Sequence, residues 1–134
     1  MPMMKMIDTF LSANAFGVVG ASSNRDKFGN KVFRCYLQNG RTAIPVNPRA
    51  VTIEGVEAAA SIAELPDGVD SISVITPPEI TLQIVEDAIE KGIRNIWMQP
   101  GAEIPEAVNL GEENGLNIIA DGSCVLVVLG YQDH

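Results

Sequence analysis

The chain has 134 residues, 46 % of them hydrophobic and 19 % charged, and a formal net charge of −8. That length suits one domain with one real core, and no apolar run approaches the ~20 residues a membrane-spanning helix needs. The acidic balance argues against non-specific nucleic-acid binding, whose affinity comes from neutralising phosphates, yet it leaves room for a small polyanion at a local basic patch.

Ile7, Phe10 and Leu11 predict a short leading helix, and residues 16–20 a buried strand. A helix is expected from about Gly29, because Val32, Phe33, Tyr36 and Leu37 form one apolar stripe and Gly40 is placed to end it. Residues 42–46 read as a second strand, broken by Asn47-Pro48. Residues 51–66 suggest a short extended flap and then a turn of helix at 61–65.

Residues 71–75 make a third strand. Thr76-Pro77-Pro78-Glu79 then fits a capping box, with Thr76 as N-cap, Pro77 at N1 and Glu79 at N3 of a helix ending near Gly92. A fourth strand follows at 95–98, a turn at Gln99-Pro100-Gly101, a helix at 103–114 and a fifth strand at 117–120. The apolar run 125–129 fits either a strand or a last helix. Strand–helix alternation with continuously apolar strands predicts a single-domain α/β protein over residues 1–134: a Rossmann-like, doubly wound parallel sheet of about five strands, in the order 3-2-1-4-5. In such a sheet a ligand sits beyond the strand carboxyl ends. All five of those ends are rich in small, polar or proline residues: Gly20-Ala21-Ser22, Asn47-Pro48-Arg49, Thr76-Pro77, Gln99-Pro100-Gly101 and Asp121-Gly122-Ser123.

Six of the nine Lys/Arg residues (Arg25, Lys27, Lys31, Arg34, Arg41, Arg49) fall between residues 16 and 49, against the single acid Asp26. The first strand therefore opens onto the most basic part of an acidic chain. Backbone N–H groups of the Gly20-Ala21-Ser22 turn, the dipole of the next helix and the hydroxyls of Ser22 and Ser23 suit a phosphate. Arg25 and Lys27 are placed to meet a pyrophosphate or to form a solvated loop, and Lys31 and Arg34 read as surface charges on the helix. The glycine spacing departs from Gly-x-Gly-x-x-Gly, since the next glycine after Gly20 is Gly29.

The end of the second strand separates the candidate nucleotides. An NAD site places a carboxylate there for the ribose 2′-hydroxyl, whereas this chain has Asn47 and, two residues on, Arg49. An arginine suits a phosphate carried on the ribose, which leaves NADP and coenzyme A, unless Arg49 is an exposed turn residue. The rings of Pro77 and Pro78 offer an apolar wall for an adenine or serve helix initiation alone. Catalytic groups are scarce. The one histidine is the last residue, His134, and no Ser–His–Asp or Cys–His arrangement is available without it. Glu103 and Asp121 are the carboxylates nearest the expected crevice; Cys124 reads as a crevice thiol or, more simply, as a buried inert cysteine. Cys35 and Cys124 have neither zinc-site nor disulfide-framework spacing, so a reducing cytoplasm is the expected compartment.

Val19-Gly20-Ala21-Ser22, Pro45-Val46-Asn47-Pro48, Ile53-x-Gly55, Thr76-Pro77-Pro78 and Trp97-x-Gln99-Pro100-Gly101-Ala102 follow one another in order. Together they resemble the small stand-alone CoA-binding proteins, which are similar to the CoA-binding domain of the succinyl-CoA synthetase alpha subunit and of NDP-forming acyl-CoA synthetases. The resemblance implies a Rossmann-like fold that holds coenzyme A non-covalently at the strand ends. By position, Gly20-Ala21-Ser22 would take the pyrophosphate region, and Asn47 and Arg49 the adenosine ribose and its phosphate. Thr76 and Pro77 would line the adenine or pantetheine path, with Gln99 and Gly101 further along the crevice. The synthetases use a phosphorylated histidine from a further domain, and this chain has no internal histidine, so the implied role is a binding, sensing or carrier module for CoA or an acyl-CoA. Stand-alone members often carry a basic residue before the cysteine that follows the last strand; here Gly122-Ser123 precedes Cys124. The rival readings are an NAD(P)-binding redox sensor or oxidoreductase subunit and an accessory subunit of an acyl-CoA synthetase. A protein partner or a homo-oligomer is compatible with each, and neither nucleic acid nor membrane is expected as a partner.

Overall fold

The computed structural model describes residues 3–132, with the side chain of Met3 excepted. His134 lies outside the described residues. In chain order the elements are α1 (Met3–Leu11), β1 (Ala15–Val19), α2 (Phe28–Gln38), β2 (Thr42–Val46), β3 (Thr52–Ile53), β4 (Val56–Glu57), a 3-10 turn at Ile62–Glu64, β5 (Ser71–Val74), α3 (Pro78–Lys91), β6 (Asn95–Met98), α4 (Pro105–Glu113), β7 (Asn117–Ile119) and α5 (Val125–Leu129). The long strands and helices fall within a few residues of the predicted ones, and the flap is the β3–β4 hairpin. The ambiguous apolar run 125–129 is a helix.

The five long strands form one all-parallel sheet in the order β2-β1-β5-β6-β7. The expected order 3-2-1-4-5 is therefore corrected to 2-1-3-4-5, counting the long strands along the chain. Pro45 supplies the physical reason. Val46 O faces β1, where it accepts from Gly20 N, so the backbone of Pro45 faces the other way and its carbonyl accepts from Ala59 N. A residue with no N–H is tolerated where that donor would face a sheet edge. With β2 at the edge, the chain returns through the hairpin to lay β5 on the far side of β1.

Side chains alternate cleanly across the sheet. One face carries Gly17, Ile72, Ile96 and Ile118 in register and is covered by α3, α4 and the 3-10 turn, through Val85, Ala88, Ala107, Ile62 and Leu65. Gly17 is small for packing: a Cβ there would stand 3.0 Å from both Ile72 and Leu65 side-chain carbons. The other face carries Phe16, Val18, Trp97 and Ile119 under α1, α2 and α5. Phe10 of α1 fills the centre of this layer, with ring centroids 5.3 Å from Phe16 and 5.4 Å, edge-on, from Trp97. The stacked Phe16–Tyr36 pair extends the cluster, and the buried Tyr36 hydroxyl shares a hydrogen bond with Ser73 on the central strand. Burial pushes the tyrosine pKa well up, with only partial relief from that hydrogen bond.

The helix ends also show why some expectations shifted. The N-cap of α3 is Pro77 rather than Thr76, with Pro78 as its first residue and no side-chain cap. Thr76 turns its hydroxyl instead to Thr81 (2.8 Å), whose hydroxyl also reaches the Ala102 carbonyl (2.7 Å). Gly92 closes α3 in the left-handed conformation, φ 92°, as the sequence suggested. Arg41 donates to the Leu11 carbonyl at 2.7 Å and so completes the C-terminus of α1. Among the described residues no helix is long and apolar enough to cross a membrane.

Because Phe10 is fully buried between two aromatic rings, its truncation leaves a cavity that neither neighbour closes without leaving its own contacts. Phe10→Ala is expected to lower unfolding free energy by about 3–5 kcal/mol, read as a fall in urea midpoint at unchanged m-value.

Candidate functional site

The sheet order places a topological switch point between β1 and β5, whose connections leave in opposite directions. A cavity of about 700 Å³ opens there, within the ~300–1,000 Å³ range of small-molecule clefts. Its walls come from the ends of four strands: Gly20-Ala21-Ser22 after β1, Asn47-Pro48 after β2, Ile75-Thr76-Pro77 after β5, and Pro100-Gly101-Ala102 after β6. Lys27, Phe28 and Gly29 bring the N-terminus of α2 to it, while Ile80 and Ile84 of α3 and Ile62 form an apolar arm edged by Asp87 and Ser61. The fifth strand end, Asp121-Gly122-Ser123, does not contribute. Convergence therefore holds for four of the five predicted ends.

Close approach shapes the floor. Gly20 has φ +96°, and a Cβ on it would lie 1.9 Å from the Ile75 carbonyl oxygen. A Cβ on Gly29 would lie 2.0 Å from the carbonyl oxygen of Gly20. Strand β5, the β1 turn and the first turn of α2 thus touch backbone to backbone. Gly29 completes at longer range the helix–strand contact that the last glycine of a dinucleotide fingerprint makes. Lys27 is the N-cap of α2 and gives no side-chain cap, so the first N–H groups of the helix and the positive end of its dipole are available to an anion.

Eight of the twelve predicted contact residues line this cavity: Gly20, Ala21, Ser22, Lys27, Asn47, Thr76, Pro77 and Gly101. The other four do not. Ser23 is exposed in the loop, and Arg25, also exposed there, pairs with Glu54 at 3.5 Å. Arg49 is exposed on the turn beyond Asn47. Gln99 is fully buried behind the Pro100-Gly101 turn, where its Oε1 accepts from Val125 N at 2.9 Å and its Nε2 has no partner among the described residues.

Asn47 belongs to the cavity wall but its polar atoms serve the backbone. Nδ2 donates to the Ala21 carbonyl (2.9 Å), and Oδ1 accepts from Arg49 N (2.7 Å) and Ala50 N (3.1 Å). One amide thus fastens the β2 turn to the β1 turn. The two candidate carboxylates are also local acceptors: Glu103 takes Gly101 N (3.0 Å) and Asp121 takes the Ser123 hydroxyl (2.6 Å) and N–H (3.0 Å). The Ser123 hydroxyl and N–H hold the Asp121 pKa below its usual value. Cys124 is half-buried at the start of α5, outside the cavity.

The sequence reading missed a polar cluster beside the cavity. Asn30 is fully buried and donates from Nδ2 to the Ser22 carbonyl (2.8 Å) and to Glu54 Oε2 (3.0 Å). Its Oδ1 accepts from Arg34 Nε at 2.7 Å, and Arg34 also reaches the Arg25 carbonyl (3.4 Å) and the Tyr131 ring. Arg34 is therefore a buried scaffold residue rather than the surface charge expected, because it lies on the face of α2 that carries the loop. A polar Asn30 two places before the apolar stripe, and Glu54-Gly55 in a two-residue hairpin turn, are the signals that pointed here.

A family model described as a CoA binding domain matches residues 14–130, nearly the whole described chain. The chain belongs to the CoA-binding domain family. It is 28 % identical over 131 residues to the alpha subunit of an ADP-forming acetate–CoA ligase II of Pyrococcus furiosus, covering 90 % of this chain but 28 % of that relative's length. It is 30 % identical over 104 residues to the uncharacterized protein YneT of Bacillus subtilis, covering 78 % of this chain and 77 % of YneT. Among solved structures, a conserved hypothetical protein of Pyrococcus furiosus superposes with a TM-score of 0.82 at 37 % identity, covering 86 % of this chain and 98 % of that one. As a member of that family, the chain places the motifs Gly20-Ala21-Ser22, Asn47-Pro48, Thr76-Pro77 and Pro100-Gly101 around one cavity.

Asn47→Asp would supply the acid of an NAD site but set a carboxylate against the Ala21 carbonyl in place of a donor. The expected result is a loss of about 1–3 kcal/mol of stability with no gain of NAD binding, checked by denaturant titration and calorimetry. Cys35 is buried, and burial, with a smaller contribution from Cys124, lifts its thiol from 9.0 to about 11. Near neutral pH iodoacetamide is expected to label Cys124 first in the native chain and Cys35 only after denaturation, resolved by peptide mass mapping.

Proposed function

We propose that this domain binds coenzyme A or an acyl-CoA in the switch-point cavity, as a binding, sensing or carrier module with no chemistry of its own. The observation that carries the reading is the cavity itself. The chain's glycine-lined β1 turn and uncapped α2 N-terminus meet an apolar arm in one groove, in a chain of the CoA-binding domain family. CoA needs both halves, a place for phosphates and an apolar path for pantetheine and adenine. The turn residues Gly20, Ala21 and Ser22 with Lys27 suit the pyrophosphate region. Asn47 fixes the β2 turn, and Arg49, exposed just beyond it, would share the ribose phosphate with Arg25 of the loop rim. Thr76, Pro77 and the apolar arm suit the adenine or pantetheine, with Gly101 further along. Ser23 stands on the same loop rim, and Gln99 supports the β6 turn from beneath.

The non-catalytic part of the reading rests on the residues that line the groove. Lys27 and Asp87 are its charged side chains, and neither histidine nor cysteine lines it among the described residues. The hydroxyls that line it, on Ser22, Ser61 and Thr76, thus have no imidazole beside them in the lining. An NAD site finds less support: no carboxylate closes β2, and the Asn47 amide is already occupied by the backbone. A second reading, an accessory subunit of an acyl-CoA synthetase, draws on the relative whose name says subunit alpha and of which this chain spans 28 %.

Isothermal titration against CoA, 3′-dephospho-CoA, NADP and NAD tests the reading. CoA is expected to bind most tightly, and Lys27→Gln to weaken it about tenfold, the ~1.4 kcal/mol of one charge-assisted contact. Tighter binding of NAD than of CoA overturns it. Failure to bind CoA alone, with binding restored by a co-purifying synthetase partner, transfers the function to the accessory-subunit reading.

A further inference from the structure

The β3–β4 hairpin carries a residue that its own geometry disfavours. Thr52 pairs with Glu57 and Ile53 with Val56, so Glu54-Gly55 is a two-residue turn in which both residues have positive φ, +50° and +80°. Such turns prefer Asn, Asp or Gly at the first position, and Glu54 is the one non-glycine residue with positive φ among the described residues. Its carboxylate has specific employment: Oε2 accepts from Asn30 Nδ2 at 3.0 Å and sits 3.5 Å from Arg25 Nε. Asn30 donates from that same nitrogen to the carbonyl of Ser22, in the cavity wall. The hairpin therefore lays an anion against the basic loop, on the β2 side of the site, where a Rossmann-like sheet receives the ribose.

We infer that Glu54 is an internal counter-anion that competes with the ribose phosphate of the ligand for Arg25 and so sets the preference of the site for phosphorylated ribose. The inference rests on the CoA reading above. Arg25 belongs to a loop stiffened by Asx-type turns, with Asn24 N on Ser22 Oγ and Asp26 N on Asn24 Oδ1, both at 3.0 Å. Its side chain is more than half exposed, so it can change partner without unfolding the loop. A ligand bearing a 3′-phosphate offers it a dianion in place of a monoanion; a ligand without that group leaves the Glu54 pair intact. Arg34, held by Asn30 on the inner side, keeps the loop in place during the exchange.

The test compares wild type, Glu54→Gln and Glu54→Asn by calorimetry with CoA and with 3′-dephospho-CoA. Asparagine suits the left-handed turn position, so the second variant carries the test if glutamine lowers the thermal midpoint. Both variants are expected to bind CoA about two- to fivefold more tightly, the scale of an exposed ion pair released, and to leave dephospho-CoA unchanged. Arg25→Gln should abolish that gain when combined with Glu54→Gln, making the two effects non-additive. No gain, a loss, or an equal gain for both ligands overturns the inference while CoA binding itself stands. Absence of CoA binding in wild type and variants alike overturns the CoA reading, and the inference with it.

Discussion

The β1 turn is held by two backbone contacts that allow no side chain. Gly20 lies under the carbonyl of Ile75 and Gly29 lies under the carbonyl of Gly20, each with room for hydrogen but not for a Cβ. These contacts fix the distance between the central strand pair and the start of α2. Were either lost, the helix N-terminus would move away from the strand ends, and the groove would lose the wall which that helix end forms. The large buried residues then have a fixed frame to fill: Phe10, Phe16, Tyr36 and Trp97 on one side, Ile72, Ile96 and Met98 on the other. Core packing stabilises the sheet, while the glycines decide where its open end points.

Around that contact, polar side chains are used to hold loops rather than left pointing into the groove. Asn47 ties the β2 turn to Ala21, Asn30 ties α2 to Ser22, and Thr81 ties α3 to Ala102. Each replaces a water that a loop carbonyl would otherwise require. The result, at the strand ends, is a stretch of cavity wall made of backbone and small residues whose position is set from behind. Ordering these loops in advance reduces what a ligand must spend on arranging them. The long hydrogen-bonded chain from Ser22 through Asn30 to Arg34 extends this support to the Arg25 carbonyl.

Most of the architecture was legible because strands buried on both faces read as apolar runs, while helices repeat with a different period. The strand order was misread although its signal was present. Pro45 in the second strand argues for an edge, since a central strand needs every N–H, and the adjacent order follows from that. Thr76 misled because a threonine before two prolines satisfies the capping pattern, yet its hydroxyl finds a better partner in Thr81 across the helix turn. Gln99 misled for another reason: a polar residue at a strand end suggests a ligand contact, but the backbone N–H of Val125 is the closer claimant. Such competition between a ligand and a distant loop is invisible in sequence, because residues 26 positions apart meet only after folding.

The basic segment illustrates the same competition in charge. Six cations in one stretch of an acidic chain suggest a single electropositive site, but folding gives them different work. Arg34 is buried against Asn30, Arg41 completes the end of α1, and Arg25 answers Glu54. Lys27, at the start of α2, is the cation that reaches the groove wall. The clustering is real, yet most of it builds the loops that flank the site. On the proposed reading, phosphate would be met less by the number of cations than by the orientation of backbone N–H groups at one helix end, which the Gly20–Gly29 contact holds in place. A count of charges points to the end of the sheet where the groove opens; the close contact of two glycines explains why the groove is there.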